Sequence, residues 1–262
     1  MARKIVITSG KGGVGKTSIC ANLGYKLANL KKKVLMIDLD IGLNNLDIIM
    51  GVENKVVFDL LDVLQNKCRV RQALIRDFDA QTLFILPSIH TLKREEIDDL
   101  AMKNVIESIE DSFDYILIDC PAGLDKPFER AAKLADEAII VSTPHISSLR
   151  DADKTIDILS NYEINILGLV VNRVRGDMVV NKDMLDPVEV AELIGKQLIG
   201  VVPEDDFLSK NGLVKDASNS VSSRAFDMLA FNIDKGSCEI YNYTKGYKGF
   251  FSKIFQSIKR RA

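Results

Sequence analysis

Apolar residues fall into short continuous runs, separated by longer stretches in which apolar positions recur with a helical period. The runs are rich in Val, Ile and Leu and do not alternate with polar residues. That pattern is typical of strands buried on both faces of a parallel sheet. The predicted strands are residues 4–8, 33–37, 83–86, 115–118, 137–142, 165–171 and 198–202.

Between the predicted strands lie segments with the spacing of amphipathic helices. Residues 16–29, 94–110, 147–160 and 187–194 are the clearest of them. Strands that alternate with helices are typical of βαβ units. We therefore expect an α/β fold with a doubly wound, mainly parallel sheet and helices on both of its faces.

The chain of 262 residues shows no internal repeat, no low-complexity linker and no strong change of composition before about residue 235. One domain over residues 1–234 is the simplest organisation. Residues 235–249 are rich in Gly, Lys, Tyr and Asn and have no helical period, so they are predicted to form a tether.

The last residues, 250–262, are predicted to form a short amphipathic helix. On a helical wheel its bulky apolar residues fall within an arc of about 140°, and most of the lysines and arginines lie outside that arc. This pattern favours the surface of an anionic membrane. A helix docked on the protein's own core and a partner-binding helix are alternatives. The apolar residues are Phe250, Phe251, Ile254, Phe255 and Ile258.

Charge and cysteine usage narrow the class of protein. The 35 Lys and Arg nearly balance the 37 Asp and Glu, which argues against a nucleic-acid-binding body. Six basic residues and no acidic one follow Ile240, so the C-terminal segment is basic while the body is acidic. The four cysteines form no CxxC pair, as expected of reduced thiols. No apolar run reaches the roughly 20 residues of a membrane span. We expect a cytosolic protein that can associate with a membrane surface.

Residues 10–17 read GKGGVGKT, which satisfies the phosphate-loop pattern G-x-x-x-x-G-K-[ST]. The pattern follows a predicted strand and opens a predicted helix, as its chemistry requires. Gly12, Gly13 and Gly15 let backbone N–H groups point at phosphate oxygens. Lys16 would reach the β- and γ-phosphates of ATP, and the hydroxyl of Thr17 would bind Mg²⁺.

Carboxylates close two of the predicted strands. Asp38 and Asp40 follow one strand two residues apart, and alternation places them on the same face. Asp119 ends the run YILID, the arrangement that holds Mg²⁺ in a Walker B motif. Gly123 follows in a Pro-Ala-Gly turn, where its N–H group is placed to contact the γ-phosphate. Helix-capping or turn roles remain an alternative for Asp38 and Asp40.

The chain resembles the deviant Walker A ATPases, and among them the MinD family of the bacterial Min system. The likeness rests on Lys11, an additional lysine in the loop besides Lys16, and on several further stretches. These are MARKIVITSGKGGVGKT, MIDLDIGLNNLDIIMG, DCPAG, SSLRDADK, RGDM, GVVPED and the basic amphipathic end. Residues 210–224 depart from the family's pattern, since they lack its Gly-x-Pro turn.

The resemblance implies roles for individual residues. Lys11 would reach the nucleotide of a partner subunit, Asp40 would orient the attacking water and Asp38 would support the metal shell. The catalytic set is then Lys11, Lys16 and Asp40, and the metal set is Thr17, Asp38 and Asp119. The nucleotide-binding set is Lys11, Gly12, Gly13, Val14, Gly15, Lys16, Thr17, Ser18, Gly123, Asn172, Arg173, Pro203 and Asp205, of which Asn172 and Arg173 would bind adenine.

The resemblance also implies partners. These are a second copy of the chain in an ATP-dependent homodimer, the division inhibitor MinC, and MinE or an equivalent activator. The implied partner surface comprises Ser148, Arg150, Asp151 and Asp153. A ParA-type partition ATPase, a flagellar-number ATPase and a nucleotide-gated scaffold without turnover remain alternatives. An iron–sulfur relative is disfavoured by the unpaired cysteines.

Overall fold

The computed structural model describes residues 1–41, 45–89, 97–215 and 220–247. In this part of the chain, eight strands form one sheet in the order β3-β4-β2-β5-β1-β6-β7-β8. All neighbouring strands are parallel except β3 and β4. The strands are β1 (Arg3–Thr8), β2 (Val34–Asp38), β3 (Ile75–Arg76), β4 (Leu83–Leu86), β5 (Tyr115–Asp119), β6 (Glu137–Ser142), β7 (Asn165–Val174) and β8 (Leu198–Pro203).

Helices cover both faces of the sheet, which confirms the predicted doubly wound α/β fold. The described residues form α1 (Lys16–Asn29), α2 (Asn45–Met50), α3 (Leu60–Leu64), α4 (Val70–Ala73), α5 (Asp99–Glu107), α6 (Lys126–Lys133), α7 (Ile146–Leu159), α8 (Gly176–Val180), α9 (Pro187–Ile194), α10 (Asp206–Asn211) and α11 (Val221–Lys235). Helix α5 begins later than the sequence suggests, because the side chain of Asp98 caps it by accepting from the N–H group of Leu100.

Two apolar cores lie on opposite faces of the sheet. Strand side chains alternate between them: Ile5 and Ile7 pack with α1 and α11, whereas Val6 packs with α6 and α7. β2 and β5 are therefore buried at every position, and β1 and β6 at all but their first residues, which explains their apolar runs. In the described part of the chain, no helix is both long and apolar enough to span a bilayer.

Asn22 joins the helix that follows the phosphate loop to the segment after α10. Its amide nitrogen donates to the carbonyl oxygens of Ser18 (2.8 Å) and Gly212 (2.9 Å). Its amide oxygen accepts from the N–H group of Val214 at 2.9 Å. The side chain is fully buried. Asn22 thus fixes Gly212 and Val214 of the divergent segment 210–224 to α1.

Replacing Asn22 with alanine is expected to lower the free energy of unfolding by about 2–4 kcal/mol, because the half-buried carbonyl of Gly212 and the buried N–H group of Val214 lose this partner. Urea unfolding of the nucleotide-free chain measures the change. Asn161→Ala is the matched control, since the Asn161 amide donates to a backbone carbonyl at an exposed position. The two variants having equal unfolding midpoints would contradict the role given to Asn22.

The segment after α11 packs against the body up to Tyr247. Ile240 and Tyr243 contact the apolar core, and the Tyr243 hydroxyl donates to Asp186 Oδ1 at 2.8 Å. The backbone of Tyr243 lies so close to Gly176 that a Cβ atom there would collide with the carbonyl group. We call residues 236–247 the C-terminal strap. The strap makes up most of residues 235–249, which the sequence predicts to form a tether.

Candidate functional site

The phosphate loop connects the carboxyl end of β1 to the first turn of α1. Gly13 and Gly15 have positive φ angles (77° and 97°), and Gly15 caps α1 in the left-handed conformation. Only glycine adopts such angles without strain. The Ser9 hydroxyl donates to the carbonyl of Lys11 at 2.7 Å. The loop is thereby curled around the N-terminus of α1, where unpaired N–H groups attract anions.

Lys16 and Thr17 occupy the first turn of α1. Lys16 is 7% exposed, although it is charged. A buried ammonium group is costly without a nearby anion. Lys16 and Thr17 both lie close enough to Asp119 to favour its charged form. The loop therefore holds one cation and one hydroxyl beside a carboxylate, as binding of a magnesium–phosphate group requires.

Asp38 and Asp119 are neighbours at the carboxyl ends of β2 and β5, where they are register partners. Asp38 Oδ1 accepts from the N–H group of Asp40 (2.8 Å), and Asp38 Oδ2 accepts from that of Leu46 (3.3 Å). Both oxygens of Asp119 are buried without a hydrogen-bond partner among the described residues. A buried carboxylate without partners needs a cation or a proton.

Burial shifts the titration of both groups. It raises the pKa of Asp38 to about 7, against the two backbone N–H groups that lower it. Burial, followed by the charge of Asp38, raises the pKa of Asp119 well above its usual value. Two adjacent carboxyl groups and the Thr17 hydroxyl form an oxygen set that suits Mg²⁺ together with water and phosphate. The residues present therefore fit the ion.

Asp40 and Gly123 lie in the turns after β2 and β5, on the same side of β1 in the sheet. Asp40 follows β2, and the hydrogen bond from its N–H group to Asp38 fixes the turn. Gly123 has a φ of 95° in the turn after β5. In the same turn, the Cβ of Ala122 lies 3.6 Å from where a Cβ of Gly12 would be. The turn after β5 is thus packed beside the phosphate loop.

Asn172 and Arg173 lie at an irregularity of β7, where the register with β8 shifts between Val171 and Val174. Asn172 is buried, and its amide nitrogen donates to the carbonyl of Val14 at 2.8 Å. Its oxygen accepts from the N–H group of Arg173. Arg173 has a φ of 58° and an exposed side chain. Asn172 therefore supports the phosphate loop, a contact that the sequence did not reveal.

Pro203 and Asp205 line a cavity of about 850 Å³ beyond the end of β8. Asp205 Oδ1 caps α10 by accepting from the N–H group of Phe207 (2.9 Å). Asp205 Oδ2 accepts from the hydroxyl (2.6 Å) and the N–H group of Ser222. These bonds give Asp205 a structural role at the start of α10 and α11. The opposite wall of the cavity comes from the C-terminal strap through Tyr241, Tyr243, Lys245 and Tyr247.

Helix α7 is in direct contact with the phosphate loop. Lys11 Nζ donates to the hydroxyl of Ser147 at 3.1 Å. Gly10 packs so tightly against the backbone of Asp151 that any Cβ atom would collide with it. Neither contact has a signal in the sequence. A change in the loop on binding a ligand would therefore act on the first turns of α7.

The predicted partner surface on α7 is only partly available. Ser148 is buried, and its hydroxyl is hydrogen-bonded to that of Thr143 (2.7 Å), so its assignment to a partner surface is wrong. Arg150 and Asp153 are exposed, and Asp151 is half-buried. The predicted membrane residues, Phe250, Phe251, Ile254, Phe255 and Ile258, lie outside the described residues.

Comparison with known proteins identifies the family. A family described as an AAA domain matches residues 2–166. The septum site-determining protein MinD of Bacillus subtilis is 40% identical over 262 residues, which cover 97% of each chain.

Solved structures agree with this comparison. MinD in the MinC:MinD complex of Aquifex aeolicus is similar with a TM-score of 0.85 and 40% identity, covering 92% of this chain and 99% of the other. MinD of Pyrococcus horikoshii, solved with Mg-ADP, is similar with a TM-score of 0.81 and 34% identity. The match covers 90% of this chain and 97% of the other. The near-complete coverage and the complete phosphate loop lead to one conclusion: the chain belongs to the MinD family of septum site-determining P-loop ATPases.

Proposed function

We propose that this chain hydrolyses ATP in a cycle that controls where it attaches to the inner membrane and so where a division septum forms. Mg-ATP binds between the phosphate loop and Asp38 and Asp119, and two subunits then pair. The observation that carries this proposal is the buried carboxylate of Asp119, without a hydrogen-bond partner in the described structure and next to Lys16 and Thr17. The structure of a relative with Mg-ADP supports the same chemistry.

In this proposal Lys11 acts across the dimer. It lies at the surface, where its ammonium group donates to the Ser147 hydroxyl at 3.1 Å. Moving an exposed lysine away from a serine hydroxyl costs little free energy. In the paired state it would stabilise charge on the γ-phosphoryl oxygens of the partner's nucleotide, as an arginine finger does. Asp40 orients the attacking water.

The C-terminal segment 250–262 attaches the dimer to an anionic membrane. Insertion of the five apolar side chains contributes roughly 1 kcal/mol each. This free energy must offset the conformational entropy that is lost when the helix folds, so one copy binds the membrane weakly. Two copies on one dimer raise the avidity by about 10²–10⁴. Pairing driven by ATP thus controls membrane residence without any change in the segment itself.

MinC and MinE, or an equivalent activator, are the proposed partners. The solved MinC:MinD complex of a relative that is 40% identical supports the first of them. Arg150 and Asp153 are exposed on α7 and are the proposed contacts. Because α7 also touches the phosphate loop, a partner bound there would respond to the nucleotide.

Co-sedimentation with anionic vesicles tests the proposal. We expect the full chain to sediment at least about tenfold more in Mg-ATP than in Mg-ADP or without nucleotide, because ATP pairing engages two segments at once. A chain truncated after Gly249 should stay in the supernatant in all three conditions. Equal binding by the two chains, or equal binding in ATP and ADP, would contradict the proposal. Duplex DNA in place of vesicles tests the ParA-type alternative.

A further inference from the structure

A groove of about 680 Å³ runs between the first turn of α7 and the segment from α8 to α9. Its apolar lining includes Ile146, Met178, Met184 and Leu185, and Ile146 is 68% exposed. The volume falls within the range of about 300–1,000 Å³ that is usual for binding pockets. We call it the α7–α9 groove. None of the roles proposed above uses it.

Acidic side chains surround this apolar floor. Asp183, Asp186 and Glu189 line the groove, together with the basic groups His145 and Lys182. Asp183 and Glu189 are exposed. The groove therefore suits a ligand that carries bulky apolar residues along one side and basic residues beside them. Such a pattern occurs in this chain between Lys248 and Ala262.

The C-terminal strap brings that segment to the groove. The Tyr243 hydroxyl donates to Asp186, which is one of the groove's acidic residues. Tyr247, the last described residue, lines the neighbouring cavity together with Met178 and Asp183, and both of these also line the groove. Phe250 is three residues further on, a reach of about 10 Å in extended chain. The strap thus ends beside the groove's entrance.

We propose that the α7–α9 groove holds the chain's own residues 248–262 when they are not on a membrane. The apolar residues of the segment cover Ile146, Met178, Met184 and Leu185, and its lysines and arginines face Asp183 and Glu189. The groove and the membrane then compete for the same apolar side chains. This inference rests on the proposed membrane function of the segment and adds the site that withholds it.

The groove also has a connection to the nucleotide. Its α7 wall begins at Ile146, next to Ser147, whose hydroxyl accepts from Lys11 of the phosphate loop. Loss of that bond when Lys11 moves to a nucleotide would release the first turn of α7. The wall that holds the segment is therefore joined to the loop that responds to ATP.

Photo-cross-linking in the full chain tests the occupant directly. With p-benzoylphenylalanine in place of Phe255 and Mg-ADP present, we expect cross-links to peptides that contain Met178 or Met184. Mixing isotopically light and heavy protein should show that they form within one chain. Anionic vesicles with Mg-ATP should remove them. Absence of groove cross-links, or cross-links between two chains, would overturn the proposal.

Charge reversal gives an independent readout. Glu189→Lys weakens the groove's hold, so binding to anionic vesicles in Mg-ADP should rise roughly three- to tenfold above that of Glu192→Lys. Glu192 is exposed on the same helix but does not line the groove, so it controls for the added positive charge. Measurable but equal binding by the two variants would overturn the proposal. If no form binds vesicles yet the cross-links appear, membrane attachment fails and the groove assignment stands.

Discussion

Replacing Lys16 with alanine is expected to lower kcat/KM for ATP by at least about 10²–10³-fold, the usual cost of losing one preorganised group that stabilises transition-state charge. Lys16 is buried in the first turn of α1 beside Asp119. Its charge therefore acts in a region from which water is largely excluded, where it is worth more than at the surface. Steady-state turnover of the purified variant measures the effect.

Lys55→Ala is the control for the Lys16 variant, because Lys55 is exposed and remote from the phosphate loop in sequence. We expect it to keep wild-type turnover. Urea unfolding of both variants checks that the fold is retained. Turnover by Lys16→Ala within about threefold of wild type would mean that Lys16 does not contact the phosphates, since a lost charge contact costs far more.

Asp40→Ala is expected to lower kcat by about 10²–10⁴-fold, the range for a group that positions and deprotonates a nucleophile. Uptake of ATP should remain, because Lys16 and Asp119 are untouched. With hydrolysis blocked, the ATP-bound dimer should accumulate. Turnover and sedimentation velocity in Mg-ATP together separate this variant from Lys16→Ala, which we expect to lose both ATP turnover and ATP-dependent pairing.

The opposite pattern would contradict the role of Asp40. If Asp40→Ala turned over ATP at the wild-type rate, the water would be positioned by another group. If it lost ATP uptake as well, the residue would belong to the binding site alone. The hydrogen bond from the Asp40 N–H group to Asp38 is retained in alanine, so the turn after β2 should survive the substitution.

The sheet could be predicted from the sequence because its strands are local apolar runs. Each of the seven predicted runs is a strand. β3 has only two residues at the sheet edge, too few to produce a pattern. Helix α11 was not among the predicted helices. Its N-terminus has a local cap, because the Ser220 hydroxyl accepts from the N–H group of Ser223. Its first turn is also held from a distance by Asp205, which accepts from Ser222.

The candidate site divides in the same way. The phosphate loop and the aspartates at strand ends have local patterns, because short-range geometry determines their chemistry. Asn172 differs: the family resemblance implies a contact with adenine, and the structure adds a hydrogen bond from its amide to the carbonyl of Val14, at an irregularity of β7. The family resemblance placed Ser148 on a partner surface, but in α7 its side chain is buried and hydrogen-bonded to Thr143. Only the packed structure determines which way such side chains face.

The tyrosines of the C-terminal strap also required the structure. In the sequence they belong to a polar segment without a helical period, which predicted a tether. In the fold, Tyr243 contacts the core and Asp186, and Tyr241 and Tyr247 line the cavity at the end of β8. The strap joins that cavity to the segment proposed to reach the membrane.

Calorimetric titration of the purified, nucleotide-free full chain with ATP in the presence of Mg²⁺ tests the central claim most directly. We predict one saturable site per chain, with binding that weakens sharply when Mg²⁺ is removed, because Asp38 and Asp119 then face the triphosphate without a cation between them. Folded protein that takes up no ATP, or takes it up equally well with and without Mg²⁺, would contradict the account.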